Sequence, residues 1–222
     1  MAELVAKGQR AIVTAGAAGI GRAILEVLVA AGARVHTCDV DAQALAECKA
    51  ATGAGTTPAD VSDDAAVGRL FDEARAALGG LDVLVNNAGI AGPTGAVEEV
   101  DPAEWRRCID IDLTGQFLCT RRAVPLMKEA GGGAIINISS VAGRLGYAYR
   151  TAYAAAKWGV IGLTKSLAIE LGPAGISVNA ILPGIVKGPR IERVIRARAE
   201  QLGVTYAEME KQYLQKVSLR RM

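Results

Sequence analysis

Short runs that are apolar nearly throughout alternate along this chain with longer segments whose apolar residues recur at helical spacing. The short runs are RAIVTA, RVHTCDV, TTPADV, LDVLVNNAG, GAIINIS and ISVNAILPG; GRAILEVLVAAGA and DAQALAECKAATG are the first of the longer ones. A run that is apolar on both faces suits a parallel strand covered by helices on both sides. The rhythm therefore predicts an α/β fold, a Rossmann-type doubly wound parallel sheet of six strands with helices on both faces. No Pro/Gly/Ser-rich linker, repeat or low-complexity tract interrupts it, and Gly131-Gly132-Gly133 is most simply a turn before a strand. A single domain over 1–222 is the expectation.

Composition narrows the function classes. Hydrophobic residues make up 51% of 222, yet no stretch approaches the ~20 uninterrupted apolar residues of a membrane span. The start MAELVAKGQR lacks the apolar run of a signal peptide. A soluble, cytoplasmic protein is expected, with no membrane partner. Cys38, Cys48, Cys108 and Cys119 sit singly in apolar surroundings and form no CxxC pair, as small buried hydrophobes do. His36 is the only histidine, which excludes a His-rich zinc site and a Ser-His-Asp triad from this chain, so no metal site is expected. A net charge of +2 with dispersed basic residues is not the footprint of a nucleic-acid binder.

Two features of the first βαβ unit suggest a nucleotide. Thr14-Ala15-Gly16-Ala17-Ala18-Gly19-Ile20-Gly21 lies between the first strand and first helix, where small residues let backbone N–H groups approach a pyrophosphate. A tight turn with close helix packing uses the same residues. Asp39 ends the second strand, where its carboxylate can accept hydrogen bonds from ribose hydroxyls and repel a 2′-phosphate, which favours NAD. Asp39 could instead cap the following helix, a role open to Asp41 as well.

In YAYRTAYAAAK, three of the chain's five tyrosines precede a lysine. On a helix Tyr153 and Lys157 are i and i+4 and share a face. A nearby ammonium favours the phenolate of a tyrosine, making general acid/base work plausible near neutral pH. Ser140, at the end of the GAIINISS strand, can direct its hydroxyl at the same substrate oxygen. Tyr147 and Tyr149 fall in the preceding loop, where they can line a cleft.

Taken in order, the glycine turn at 14–21, Asp60-Val61, Asn86-Asn87-Ala88-Gly89, Ser140, Tyr153-x-x-x-Lys157 and Pro183-Gly184 resemble the short-chain dehydrogenase/reductase family over nearly the whole chain. The resemblance implies an NAD-dependent oxidoreductase acting on a secondary alcohol or ketone. It implies that Gly16, Gly19, Ile20, Gly21 and Asp39 hold the cofactor's phosphate and ribose, that Asp60 and Val61 hold adenine, and that Asn87 and Ala88 hold the adenosine side. Ile185 and Val186 would hold the nicotinamide carboxamide. Ser140 would polarise the substrate oxygen, Tyr153 exchange its proton, and Lys157 both bind ribose and lower the tyrosine pKa. A homodimer or homotetramer is implied, through the helix Thr114–Lys128 and the Tyr153 helix, with Phe117, Leu118, Leu163 and Leu167 available for the interface.

Three positions depart from the family pattern: Ala15 stands for its first glycine, Asp112 for the asparagine thought to relay protons, and Gly188 for a frequent threonine. The sequence stops at Val217–Met222, where the family normally continues into another helix and a seventh strand, so the sixth strand would be an edge, in a fragment of a longer protein or with something else covering it. Residues 188–216 form an amphipathic lid candidate, with Ile191, Val194, Ile195, Ala199 and Leu202 on one face. Arg193, Arg196 and Arg198 lie mostly off that face and could attract an anionic substrate. A 3-oxoacyl thioester reductase, an NAD-binding module without turnover and a scaffold subunit are the competing functions. The intact Ser140, Tyr153 and Lys157 favour turnover.

Overall fold

The computed structural model describes residues 6–222; the leader expectation at residues 1–5 lies outside them. Six parallel strands, β1 (Arg10–Thr14), β2 (Arg34–Asp39), β3 (Gly55–Pro58), β4 (Val83–Asn86), β5 (Gly133–Ile138) and β6 (Ile176–Ile181), form one sheet in the order β3-β2-β1-β4-β5-β6. The order reverses direction at β1, between β2 and β4. The doubly wound α/β expectation therefore holds. Ligands bind such sheets beyond the strands' carboxyl ends at that reversal.

Helices α1 (Gly19–Ala30) and α2 (Ala42–Thr52) cover one face, where Leu25, Leu45 and Cys48 meet Ala11, Val13 and Val35. Helices α3 (Asp64–Leu78), α4 (Pro102–Ile109), α5 (Gly115–Glu129) and α6 (Thr151–Leu171) lie on the other side. There Leu70, Phe71, Met127 and Leu171 pack on Ile12, Leu84, Ile135 and Ile176. All four cysteines are buried and free. His36 is a buried strand residue whose Nε2 meets Thr57 Oγ1 at 2.9 Å. No helix among the described residues is long and apolar enough to cross a membrane.

Two expectations are corrected. TTPADV is not all strand: β3 ends at Pro58, so Asp60 and Val61 stand in the loop beyond it. β6 is covered on one face only; Ile176 and Val178 are buried on the α6 side, while Ser177, Asn179 and Ile181 are exposed. Among the described residues it pairs only with β5, making it the expected edge.

Residues 188–216 fold as α7 (Pro189–Leu202) and α8 (Tyr206–Gln215), joined by their own cluster of Ile195, Ala199 and Met209. Val194, Ile195 and Ala199 of the expected face are buried and Ile191 is half-buried, but Leu202, in the last turn, is exposed.

Candidate active site

Parallel strands bring all their carboxyl ends to one edge, and the expected site residues converge there. After β1 the chain turns sharply. Ala15 takes φ 51°, a left-handed conformation that favours glycine, so the departure from the family pattern is tolerated at a modest backbone cost. The Gly16 N–H donates to Thr37 Oγ1 at 3.1 Å and to the Cys38 carbonyl at 3.2 Å. A Cβ on Gly21 would lie 2.2 Å from the Ala15 carbonyl oxygen and 2.4 Å from Asn87 Nδ2, so only glycine lets α1 approach β4 this closely. Gly19 has φ 56° and open space around it.

Helices α2, α3, α4 and α8 carry Asp41, Asp63, Asp101 and Thr205 as side-chain caps. Helix α1 starts from Ala18 with no side-chain cap and no acidic residue in its first turn. Its first N–H groups are thus left for an anion, and a pyrophosphate fits them in charge.

Asp41, not Asp39, caps α2. Asp39 Oδ1 accepts from the N–H groups of Val40 (2.8 Å) and Asp41 (3.3 Å), and Oδ2 carries no hydrogen bond among the described residues. Asp60 Oδ1 accepts from the Ser62 N–H and hydroxyl, which fixes the loop after β3; Val61 is buried against Gly115. Asn87 Nδ2 donates to the carbonyls of Thr14 and Ala15, both at 3.0 Å. Thr14, the first residue of the glycine turn, accepts the N–H groups of Asn87 and Ala88 on its hydroxyl. These bonds clamp the β4 turn onto the β1 turn.

On the other side of the reversal stand Ser140, Tyr153 and Lys157. Ser140 caps the short turn Val141–Gly143 by accepting the Ala142 N–H at 3.2 Å, which leaves its own hydroxyl hydrogen available to donate. Lys157 is 4% exposed. Its Nζ donates to the Ile138 carbonyl at 3.2 Å and lies 5.6 Å from the Tyr153 ring centre.

Lys157 has a second neighbour. Between α4 and α5 the helix widens into a π-turn, Asp110–Thr114, of the kind found at functional sites. It carries Asp112, fully buried, into the cluster. Asp112 Oδ1 accepts the Ile90 N–H at 2.6 Å, and Oδ2 stands 3.3 Å from Lys157 Nζ as an ion pair too poorly aligned to count as a hydrogen bond. Burial pushes the Asp112 carboxyl above the ordinary carboxylate range, with Lys157 pulling the other way. An asparagine could take the same Ile90 N–H but would present no charge to Lys157.

Ile185 and Val186 follow β6 in a loop tied to the Ser140 turn by the Val141 N–H on the Pro183 carbonyl, 3.1 Å. Ile185 is half-buried and Val186 exposed. Helices α7 and α8 reach this edge through side chains. Arg190 donates to the Gly89 carbonyl, Arg198 stacks 3.7 Å from the Tyr149 ring centre, and the Tyr147 and Tyr213 hydroxyls meet at 3.1 Å. Burial raises the Tyr147 phenol above its usual range, so it stays protonated. Arg150 is the residue that motif reasoning missed. It is 4% exposed, with its guanidinium 4.8 Å from the Tyr153 ring centre. Its only sequence signal was its place between the tyrosines. A cavity of about 520 Å³ opens at the opposite end of β4 and β5, near Lys7, Asp82 and Gly131, far along the strands from this chemistry.

Comparison with known proteins agrees with this geometry. Residues 9–199 match the model of the short chain dehydrogenase family. The chain is 50% identical over 194 residues to the trans-4-hydroxycyclohexanecarboxylate dehydrogenase of Sinomonas cyclohexanicum, covering 81% of this chain and 73% of the relative. It is 41% identical over 196 residues to the 2-dehydro-3-deoxy-L-rhamnonate dehydrogenase (NAD(+)) of Sphingomonas sp. (strain SKA58), covering 88% and 79%. Among solved structures, NAD+-bound xylitol dehydrogenase superposes with a TM-score of 0.92 at 29% identity, over 97% of this chain and 86% of that one.

Proposed function

Because the chain belongs to the short-chain dehydrogenase family, we propose that it is an oxidoreductase passing a hydride between NAD(H) and a secondary alcohol or its ketone, with Tyr153 as general acid/base. The observation that carries this is the convergence of Ser140, Tyr153 and a buried Lys157 at one strand edge, beside an uncapped helix N-terminus.

In the oxidation direction the Ser140 hydroxyl donates to the substrate oxygen and holds it, while Tyr153 as phenolate takes that oxygen's proton. Lys157 favours the phenolate by its charge. Beyond the bond to the Ile138 carbonyl its N–H groups make no further hydrogen bond among the described residues, so one is available to a ribose hydroxyl. Asp112 holds Lys157 in place from behind. Bound NAD supplies the hydride acceptor. Gly16, Gly19, Ile20 and Gly21 would hold its pyrophosphate, Asp39 its adenosine ribose, Asp60 and Val61 its adenine, Asn87 and Ala88 the adenosine side, and Ile185 and Val186 its carboxamide. Asp39 supports NAD over NADP, because its free oxygen opposes a phosphate and Arg22, the basic residue of the first α1 turn, is engaged by Glu26 at 2.7 Å.

The substrate is a small hydroxy acid. The substrates for which both relatives above are named carry a carboxylate, and Arg190, Arg193 and Arg198 place cations on α7. Helices α7 and α8 act as a lid over it. A homodimer or homotetramer through α5 and α6 is supported by exposed Phe117, Trp158 and Ile169; Leu118 and Leu167, by contrast, pack against the core. NADH absorbance would be followed with trans-4-hydroxycyclohexanecarboxylate, 3-hydroxybutyrate, xylitol, a hydroxysteroid and a 3-hydroxyacyl thioester. Turnover of a hydroxy acid is expected, and no NADH formation with any of them would sink the proposal. Asp39→Ala should reduce the preference for NAD over NADP about tenfold, through one lost charged contact; fluorescence titration with both cofactors measures it.

A further inference from the structure

Burying a cation is costly unless an anion or a set of hydrogen bonds compensates it. Lys157 meets that condition through Asp112 and the Ile138 carbonyl. Arg150 does not. It is 4% exposed, has no carboxylate partner among the described residues, donates one hydrogen bond from Nη2 to the Ala91 carbonyl at 2.5 Å, and leaves its buried Nε unpartnered. What surrounds its guanidinium instead is aromatic: the Tyr147 ring centre at 5.3 Å and the Tyr153 ring centre at 4.8 Å.

A buried, undercompensated guanidinium over a phenol favours that phenol's anion. The groups around Tyr153 leave few other candidates. On its own helix stands Lys157, with Asp112 behind it from the π-turn. From the preceding loop come Tyr147, whose phenol is tied to Tyr213 and kept protonated by burial, and Arg150 itself. From α4 comes Cys108, whose thiol burial pushes to about 12. From α7, Arg190 reaches the Gly89 carbonyl. Tyr153 is thus the group beside Arg150 that can supply a negative charge during turnover.

We propose that Arg150 is a positioning residue for the reaction, a second cation that holds the Tyr153 ring and stabilises its phenolate together with Lys157. The proposal rests on Tyr153 being the acid/base. Arg150 also links the chemistry to the lid, since the Tyr147 ring it faces is held by Tyr213 of α8. A planar guanidinium can lie over two rings and still donate to Ala91, which an ammonium cannot reproduce.

The test needs no substrate. With the protein saturated by NAD+, tyrosinate absorbance is followed as pH rises, and the Tyr153 step is identified by its absence in Tyr153→Phe. Arg150→Gln and Arg150→Met remove the charge and should move that step up by about one pH unit, the effect of losing a nearby opposite charge. Arg150→Lys keeps the charge and should leave the step closer to that of the parent. NADH fluorescence verifies that each variant is folded. A step that stays in place in a variant that binds NADH overturns the proposal while leaving Tyr153's own role intact. If Tyr153→Phe removes no step, the acid/base reading itself fails, and the proposal with it. Loss of NADH binding in all three Arg150 variants, lysine included, would also overturn it, because Arg150 would then be a determinant of the fold.

Discussion

The two sides of the strand-end site are held together by different forces. On the side proposed for the cofactor the turn after β1, the end of β2 and the turn after β4 are joined by buried hydrogen bonds: Gly16 to Thr37 and Cys38, Asn87 to Thr14 and Ala15, Ala88 to Thr14. Glycine at position 21 is required by the close approach of the Ala15 carbonyl and the Asn87 side-chain amide. On the side proposed for the substrate few backbone bonds cross between elements. There arginines and tyrosines meet face to face, Arg198 on Tyr149 and Arg150 on Tyr153, and a single hydroxyl pair links Tyr147 to Tyr213. The first arrangement tolerates almost no change of shape. The second rests mostly on side-chain contacts, which suits the lid proposed above.

That contrast can be broken from either side. The largest effect is expected for Gly21→Val, whose side chain has no room beside the Ala15 carbonyl and Asn87. It should lose NADH binding and cost about 1–3 kcal/mol of stability by overpacking, measured by urea unfolding and fluorescence titration. Unchanged NADH affinity would show that the turn is looser than described. Asp112→Asn probes the junction of the two sides. It keeps the Ile90 contact but removes the anion 3.3 Å from Lys157, so the Lys157 charge acts on Tyr153 undiminished. A cation favours phenolate; the alkaline rise in oxidation rate should therefore move to lower pH, by about one unit. That is opposite in sign to the shift expected for Arg150→Gln. A rise displaced to higher pH would mean that Asp112 aids the phenolate by another route. The smallest effect is expected for Arg198→Ala. Losing one surface-side stack on Tyr149 should cost about 1 kcal/mol or less and raise KM for a hydroxy acid with NADH affinity unchanged. A stability loss as large as that of Gly21→Val would erase the distinction.

How much of this was legible in the sequence follows the same division. Six apolar runs became six strands, and the glycine turn, Asp39, Asn87, Ser140, Tyr153 and Lys157 came to one edge, because strand periodicity and local turn chemistry act over short stretches of chain. The end of β3 was misplaced because Pro58 closes the strand while the apolar Ala59 and Val61 continue its pattern into the loop, where they are buried. The exposed face of β6 was missed because Ile181 reads as core although nothing among the described residues covers it. Arg150 was illegible as well: an arginine between tyrosines reads as a solvated loop residue, and only the tertiary approach of Ala91 and the two rings buries it. The Asp112–Lys157 pair likewise depends on a π-turn that no periodicity announces.

The account depends most on Tyr153, and one comparison tests it directly. NAD-linked oxidation of a hydroxy-acid substrate is measured for the parent and for Tyr153→Phe, alongside NADH affinity. Loss of turnover by about 10²–10⁴ with NADH binding retained is the predicted result, the usual worth of general acid/base help. A phenylalanine variant that keeps most of its turnover would contradict the account.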